Sequence, residues 1–158
     1  MSLKIRDVMV KDVVTVDSDY TVKNAANIMN RFSIGCVVVL EKEKVVGIIT
    51  ERDMLKKIVA VAQDPEKTFV KEIMSTPIIV VRPDTPMEEA LDLMFSYKIK
   101  KLPVIEGLPG KEKLVGLVTL TDIARWQPRL IKRLKQLFEE FQETPPQSID
   151  KVMNYYIV

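Results

Sequence analysis

The chain has 158 residues, 47% of them apolar, and a net charge of +2 from 24 Lys and Arg against 22 Asp and Glu. That length suits one compact domain or two small halves sharing a core, and no stretch approaches the roughly 20 apolar residues of a membrane span. Histidine is absent and Cys36 is the single cysteine, which removes zinc clusters, internal disulfides, Ser-His and Cys-His pairs and imidazole acid–base chemistry.

The first seven residues carry an acid where a signal peptide has its apolar run, so a cytoplasmic location is expected. A short apolar segment ending at Met9 leads to a predicted strand at 13–16. Asp17, Ser18 and Asp19 supply helix-start signals. Val22, Ala25, Ala26, Met29 and Phe32 then follow the three-four spacing of a helix that buries them. Strands are expected at 36–40 and 45–49. Cys36 falls in the first and should pack as a small, inert hydrophobe. A helix starts at Glu51, and residues 63–68, with Asp64-Pro65, read as a link.

The second half repeats this order. An apolar segment ends at Met74, a strand is predicted at 78–81, and helix-start signals occupy 83–86. The next helix buries Met87, Ala90, Leu91 and Met94. Strands at 102–105 and 114–118 and a helix from Leu120 complete it. The loop at 107–111 holds Gly107, Gly110 and Lys111. Glu112 and a strand follow, where a phosphate-cradling loop needs Ser or Thr and a helix, so this is a hairpin loop. Pro128 fits the first turn of a last helix over 128–143. Leu130, Leu134, Leu137, Phe138 and Phe141 form its apolar stripe, broadened by Ile131. The tail, 147–158, ends in Tyr155, Tyr156, Ile157 and Val158, which are expected to dock on an apolar surface.

The repetition extends to single residues. Gly47 and Gly116, Thr50 and Thr119, and Asp53 and Asp122 recur at an offset of 69. Upstream, Met9 and Met74, Val16 and Val81, Asp19 and Asp84, Ala25 and Ala90, and Met29 and Met94 recur at 65, the difference being a short insertion near 107–110. Each copy reads strand, helix, strand, strand, helix, which predicts helices covering a small sheet. The copies occupy 1–65 and 66–127, and 128–158 is the C-terminal helix and tail.

Thr50-x-x-Asp53 and Thr119-x-x-Asp122 lie where a strand hands over to a helix. One reading is a capping box, worth about 1 kcal/mol. The other is a ligand site. Glycine three residues earlier lets a ligand or another backbone approach closely. A helix start attracts anions, and an acid beside it can grip vicinal hydroxyls. The two readings are compatible, because Thr can cap while Asp binds.

With Val8-Met9 and Ile73-Met74, the run from Pro77 to Pro83, the run from Lys98 to Ile105 and Gly-x-x-Thr-x-x-Asp twice, residues 5–126 resemble a tandem pair of CBS (cystathionine β-synthase) domains, a Bateman module. The resemblance implies an α+β fold of two β-α-β-β-α repeats packed as a pseudo-two-fold pair. It implies a regulatory sensor, not an enzyme, binding an adenosine-containing ligand such as AMP, ADP, ATP or S-adenosylmethionine in clefts between the repeats. An unidentified effector protein on another chain would read the signal. Carried over by position, Asp53 and Asp122 would hold ribose hydroxyls, with Thr50 and Thr119 supporting ribose or phosphate. Ile78 and Ile79 would face the ligand of Asp53, and Val13 and Val14 that of Asp122. Arg52, Lys100 and Lys101 resemble phosphate-binding cations. Thr121, Gly35 and Cys36 take their places in the other copy, so the clefts are expected to bind phosphate unequally.

After Trp126 the charges are ordered. Arg125, Arg129, Lys132, Arg133 and Lys135 precede Glu139, Glu140 and Glu143, the reverse of what a helix macrodipole favours. A solvated face is one explanation. Antiparallel pairing with a second copy, giving a homodimer, is another. A third is a nucleic-acid-binding surface on 125–135, which the short patch and balanced overall charge do not favour. An enzyme using Asp53 and Asp122 as a carboxylate pair is the remaining rival.

Overall fold

The computed structural model describes residues 2–76, 78–130 and 132. Its elements run α1 (Ile5–Val8), β1 (Thr15–Asp17), α2 (Val22–Phe32), β2 (Cys36–Glu41), β3 (Lys44–Thr50), α3 (Glu51–Met54), α4 (Val70–Ile73), α5 (Met87–Ser96), β4 (Lys101–Glu106), β5 (Lys113–Thr119) and α6 (Leu120–Trp126). A π-helical turn, Leu55–Val59, continues α3. The chain divides into two units, 1–123 and 124–158. Of the second unit the described residues are 124–130 and 132, with the Leu130 N–H bonded to the Gln127 carbonyl at 3.0 Å.

In the first unit, β1, β2 and β3 form one sheet, with β1–β2 parallel and β2–β3 antiparallel, and β4–β5 form an antiparallel pair. The two hairpins share a register irregularity at equivalent places, Val39/Leu40 and Val104/Ile105. Thr21 caps α2, its side chain accepting the Asn24 N–H at 3.2 Å. Ser33 ends α2 in the left-handed region, and Lys98 takes the same conformation after α5. The Ile34 and Ile99 N–H groups then bond back to Met29 and Met94.

The expected strands at 36–40, 45–49, 102–105 and 114–118 appear one or two residues longer. Three expectations need correction. The strand placed at 13–16 is Thr15–Asp17, so Val13 and Val14 lie ahead of it. Residues 78–80 make no strand, and only Val81 pairs, with Val104. In the first copy the Val38 N–H reaches the Val14 carbonyl at 3.4 Å. The matching residue in the second copy is Pro103, which has no N–H to give to Ile79, so the ladder cannot extend. Phe32, expected to be buried, is 54% exposed at the end of α2.

The leading helices are exchanged between the repeats. The α1 segment binds the second repeat: the Ile5 N–H bonds the Thr85 carbonyl, that of Arg6 bonds Pro83, and that of Met87 bonds Leu3, at 2.9–3.0 Å. The α4 segment binds the first. The Val22 N–H bonds Thr68, that of Val70 bonds Tyr20, and that of Lys71 bonds Ser18, at 2.8–3.1 Å. Val70 and Ile73 accordingly lie in one core with Val16, Val22, Ala25, Met29, Val37, Val39, Ile49 and Ile58. Arg6 and Lys4 pair with Asp84, and Lys71 pairs with Asp19, again at matching positions. These exposed pairs contribute little stability but record the symmetry.

Candidate functional site

Both Thr-x-x-Asp motifs close reciprocal caps. The Thr50 hydroxyl accepts the Asp53 N–H at 3.2 Å, and Asp53 Oδ2 accepts the Thr50 N–H at 3.0 Å and its hydroxyl at 3.1 Å. Thr119 and Asp122 repeat this at 3.2, 3.0 and 2.7 Å. The cap occupies one carboxylate oxygen and leaves Oδ1 for other work.

At Asp53 that work is internal. Oδ1 accepts the Ser75 hydroxyl at 2.9 Å and the Lys57 ammonium at 3.1 Å, and the residue is only 7% exposed. Burial pushes this carboxyl up, but Thr50, Ser75 and Lys57 outweigh it and hold it below the ordinary carboxylate value. Lys57 also donates to the Ile73 carbonyl at 2.7 Å.

Asp122 lines a cleft of about 280 Å³. Thr119, Val13, Val14 and Lys101 line it too, together with Val10, Asp12, Ile34, Gly35, Cys36, Leu117 and Thr121. The backbone explains the meeting. Val10 exchanges two 2.9 Å bonds with Leu117 on β5, and Val14 bonds Val38 on β2, so residues 10–14 cross from one repeat to the other over Asp122. Lys101 is the one cation among the lining residues. Burial pushes the Cys36 thiol up, and Lys101 beside it opposes the shift.

The motif glycines have a role different from ligand approach. A side chain on Gly47 would meet Met74 Sδ at 2.5 Å, and one on Gly116 would meet Met9 Sδ at 2.6 Å and the Val10 carbonyl at 3.1 Å. The residue whose approach they permit is thus the methionine closing the opposite leading helix.

Among the sequence candidates, the structure joins Val13, Val14, Lys101, Thr119 and Asp122 in one cleft and Thr50 with Asp53 in one cap. Arg52 is exposed, and neither it nor Asp53 lines the Asp122 cleft. Lys100 is also exposed, and its carbonyl accepts the Leu120 N–H that opens α6, as that of Gly35 accepts Glu51. Ile78 and Ile79 are half-buried ahead of Val81. Lys57 and Ser75 escaped the reading, although the spacing of four from Asp53 to Lys57 is the signal of an ion pair on one helix face; nothing in the sequence joins Ser75, from the other repeat, to them. The basic segment continues past Lys132 to Arg133 and Lys135, which lie outside the described residues. So do most of the stripe over 128–143 and all of the tail at 147–158. Among the described residues no group of acids and Cys could hold a metal ion, and no helix is long and apolar enough to cross a membrane.

The family model for the CBS domain matches residues 5–60 and 70–129. An uncharacterized protein of Methanopyrus kandleri is 35% identical over 143 residues, which are 90% of this chain and 71% of that protein. The inosine-5'-monophosphate dehydrogenase of Methanocaldococcus jannaschii is 38% identical over 123 residues, 77% of this chain but 23% of the enzyme. The solved CBS domain pair in complex with 5'-methylthioadenosine and S-adenosyl-L-methionine superposes with a TM-score of 0.69 and 30% identity, covering 80% of this chain and 96% of that one.

Proposed function

We propose that this chain, which belongs to the CBS-domain family and carries the domain twice, is a regulatory sensor and not an enzyme. Its ligand is an adenosine-containing molecule of the AMP, ADP, ATP or S-adenosylmethionine kind. The observation that carries this reading is the Asp122 cleft, where a capped carboxylate with a spare oxygen faces an apolar wall supplied by the other repeat. In it, Asp122 Oδ1 takes ribose hydroxyls and Thr119 holds the carboxylate in place. Val13 and Val14 cover a face of the adenine, and Lys101 meets a charged tail. The bound relative, a CBS pair of the same fold, supports the ligand class.

Because residues 10–14 bridge β5 and β2, a ligand seated on them would tighten the joint between the repeats, a change that an effector protein can read. The same proposal includes a cytoplasmic homodimer, read from the stripe and charge order of the sequence over 128–143. Calorimetry with AMP and with S-adenosylmethionine tests the site. Asp122→Ala should cost about 1.5–3 kcal/mol of binding, a ten- to hundredfold drop. A folded variant that binds as the parent does would leave Thr119 and Asp122 as a cap only.

A further inference from the structure

We infer that the two clefts are unequal: Lys57 and Ser75 seal the Asp53 carboxylate, and the Asp122 cleft takes the chain's single ligand. This deepens the proposed function and rests on it. An ionised carboxylate offers about four acceptor positions. Asp53 already has four donors on it, the Thr50 N–H and hydroxyl, the Ser75 hydroxyl and the Lys57 ammonium. Two ribose hydroxyls would have to displace Ser75 and Lys57 from Oδ1.

Those two residues are themselves anchored. Lys57 sits in the π-helical turn, a distortion that often marks functional places in helices, and also holds the Ile73 carbonyl. Ser75 is tied to Ile48 by backbone bonds of 2.8 and 3.4 Å. Together they lock the end of α4 onto the start of α3.

The second copy lacks the seal. Val10 stands at the position of Ser75, and Trp126 at that of Lys57, so neither of these two positions carries a hydroxyl or an ammonium. Among the described residues, the donors on Asp122 come from Thr119 alone and reach Oδ2, which leaves Oδ1 open to the cleft. Arg52, beside the sealed carboxylate, then has no ligand phosphate to meet.

Two measurements on the full chain test this. Calorimetry with AMP and with S-adenosylmethionine should give one ligand per chain. Asp122→Asn should weaken it about ten- to hundredfold, and Asp53→Asn should leave it within about twofold. The pair Lys57→Met with Ser75→Ala, which frees Oδ1 of Asp53, should add a second site. Two ligands on the parent, a loss caused by Asp53→Asn alone, or a double variant that still takes one ligand would each overturn the inference.

NMR titration of the carboxyl carbons reads the seal without any ligand. The Asp53 transition should move to higher pH in the double variant. An unmoved transition overturns the seal whether or not a probe binds. If neither probe binds while the Asp53 transition moves, the seal stands. The adenosine site at Asp122, and the single-ligand half of the inference, then fall together.

Discussion

A methionine sulfur stands where a side chain on either motif glycine would go, so each Gly-x-x-Thr-x-x-Asp is a packing motif before it is a binding motif. At Gly116 the obstruction includes backbone, the Val10 carbonyl, as well as the movable end of Met9. Gly116→Ala should therefore destabilise the fold by about 1–3 kcal/mol, the usual cost of overpacking. Combined with Met9→Ala it should cost less than the two single changes summed, which urea unfolding of the four proteins would reveal. Additive costs would mean that the contact is not what the glycine serves. At Asp53 the residue-scale consequence is a pH dependence. Its folded value lies below the unfolded value of about 3.9. Its contribution to stability is thus fully present above that value and lost as pH falls through the folded one. Lys57→Met should destabilise the protein at neutral pH, and the gap to the parent should narrow on acidification below about pH 4, because a protonated Asp53 no longer attracts the ammonium. Unfolding curves collected from neutral to acid pH would show a constant gap if the ion pair contributed nothing.

At the scale of elements, what was legible followed periodicity and what was not depended on partners. The hairpin strands announced themselves as apolar runs, and the helices α2 and α5 because their buried residues repeat at three-four spacing. Burial of Val22, Ala25, Met29, Met87, Ala90, Leu91 and Met94 agrees with that spacing. Phe32 fits the same spacing but is the last residue of α2, and it is exposed. The strand at 78–81 looked as sound as its counterpart, with four branched residues in a row. Its loss turns on Pro103, a residue more than twenty positions away whose missing N–H matters only once the pairing is known. Lys57 lies four residues after Asp53 in the helix expected from Glu51, so that ion pair was open to reading, whereas Ser75 comes from the other repeat and was out of reach. Of the residues lining the cleft, Thr119, Asp122, Val13 and Val14 were singled out through the repeat and the family resemblance, and Lys101 through the resemblance. Cys36, expected in the core, is indeed buried, but it also forms part of the cleft floor beside Lys101. A count of apolar neighbours in sequence says that a residue is covered and not by what.

For the first unit as a whole, the exchange of α1 and α4 means that each repeat is completed by the other's leading helix. Periodicity could not reveal this, since Ile5 and Val8 face inward on either arrangement. The bonds to Thr85 and Pro83 and the pairing of Arg6 with Asp84 assign α1 to the second repeat. Ile5 is fully buried there. Truncating it should cost about 2–5 kcal/mol, the range for deleting a large core side chain, with Val70→Ala somewhat below it for the smaller volume lost. The location of the damage discriminates more sharply than its size. Local openings follow cooperative packing units and not sequence neighbours. Hydrogen exchange on Ile5→Ala should therefore show lost protection first in β4 and β5, and on Val70→Ala first in β2 and β3. Residues 10–14, which hang between Leu117 and Val38, should lose protection in both variants, because either change slackens one of their two anchors. The Asp122 cleft would then loosen from a substitution in either helix, neither of which lines it. Should each substitution instead deprotect the strands that follow it in its own half of the sequence, the leading helices would belong to their own repeats, and the bridge over Asp122 would lose its structural basis.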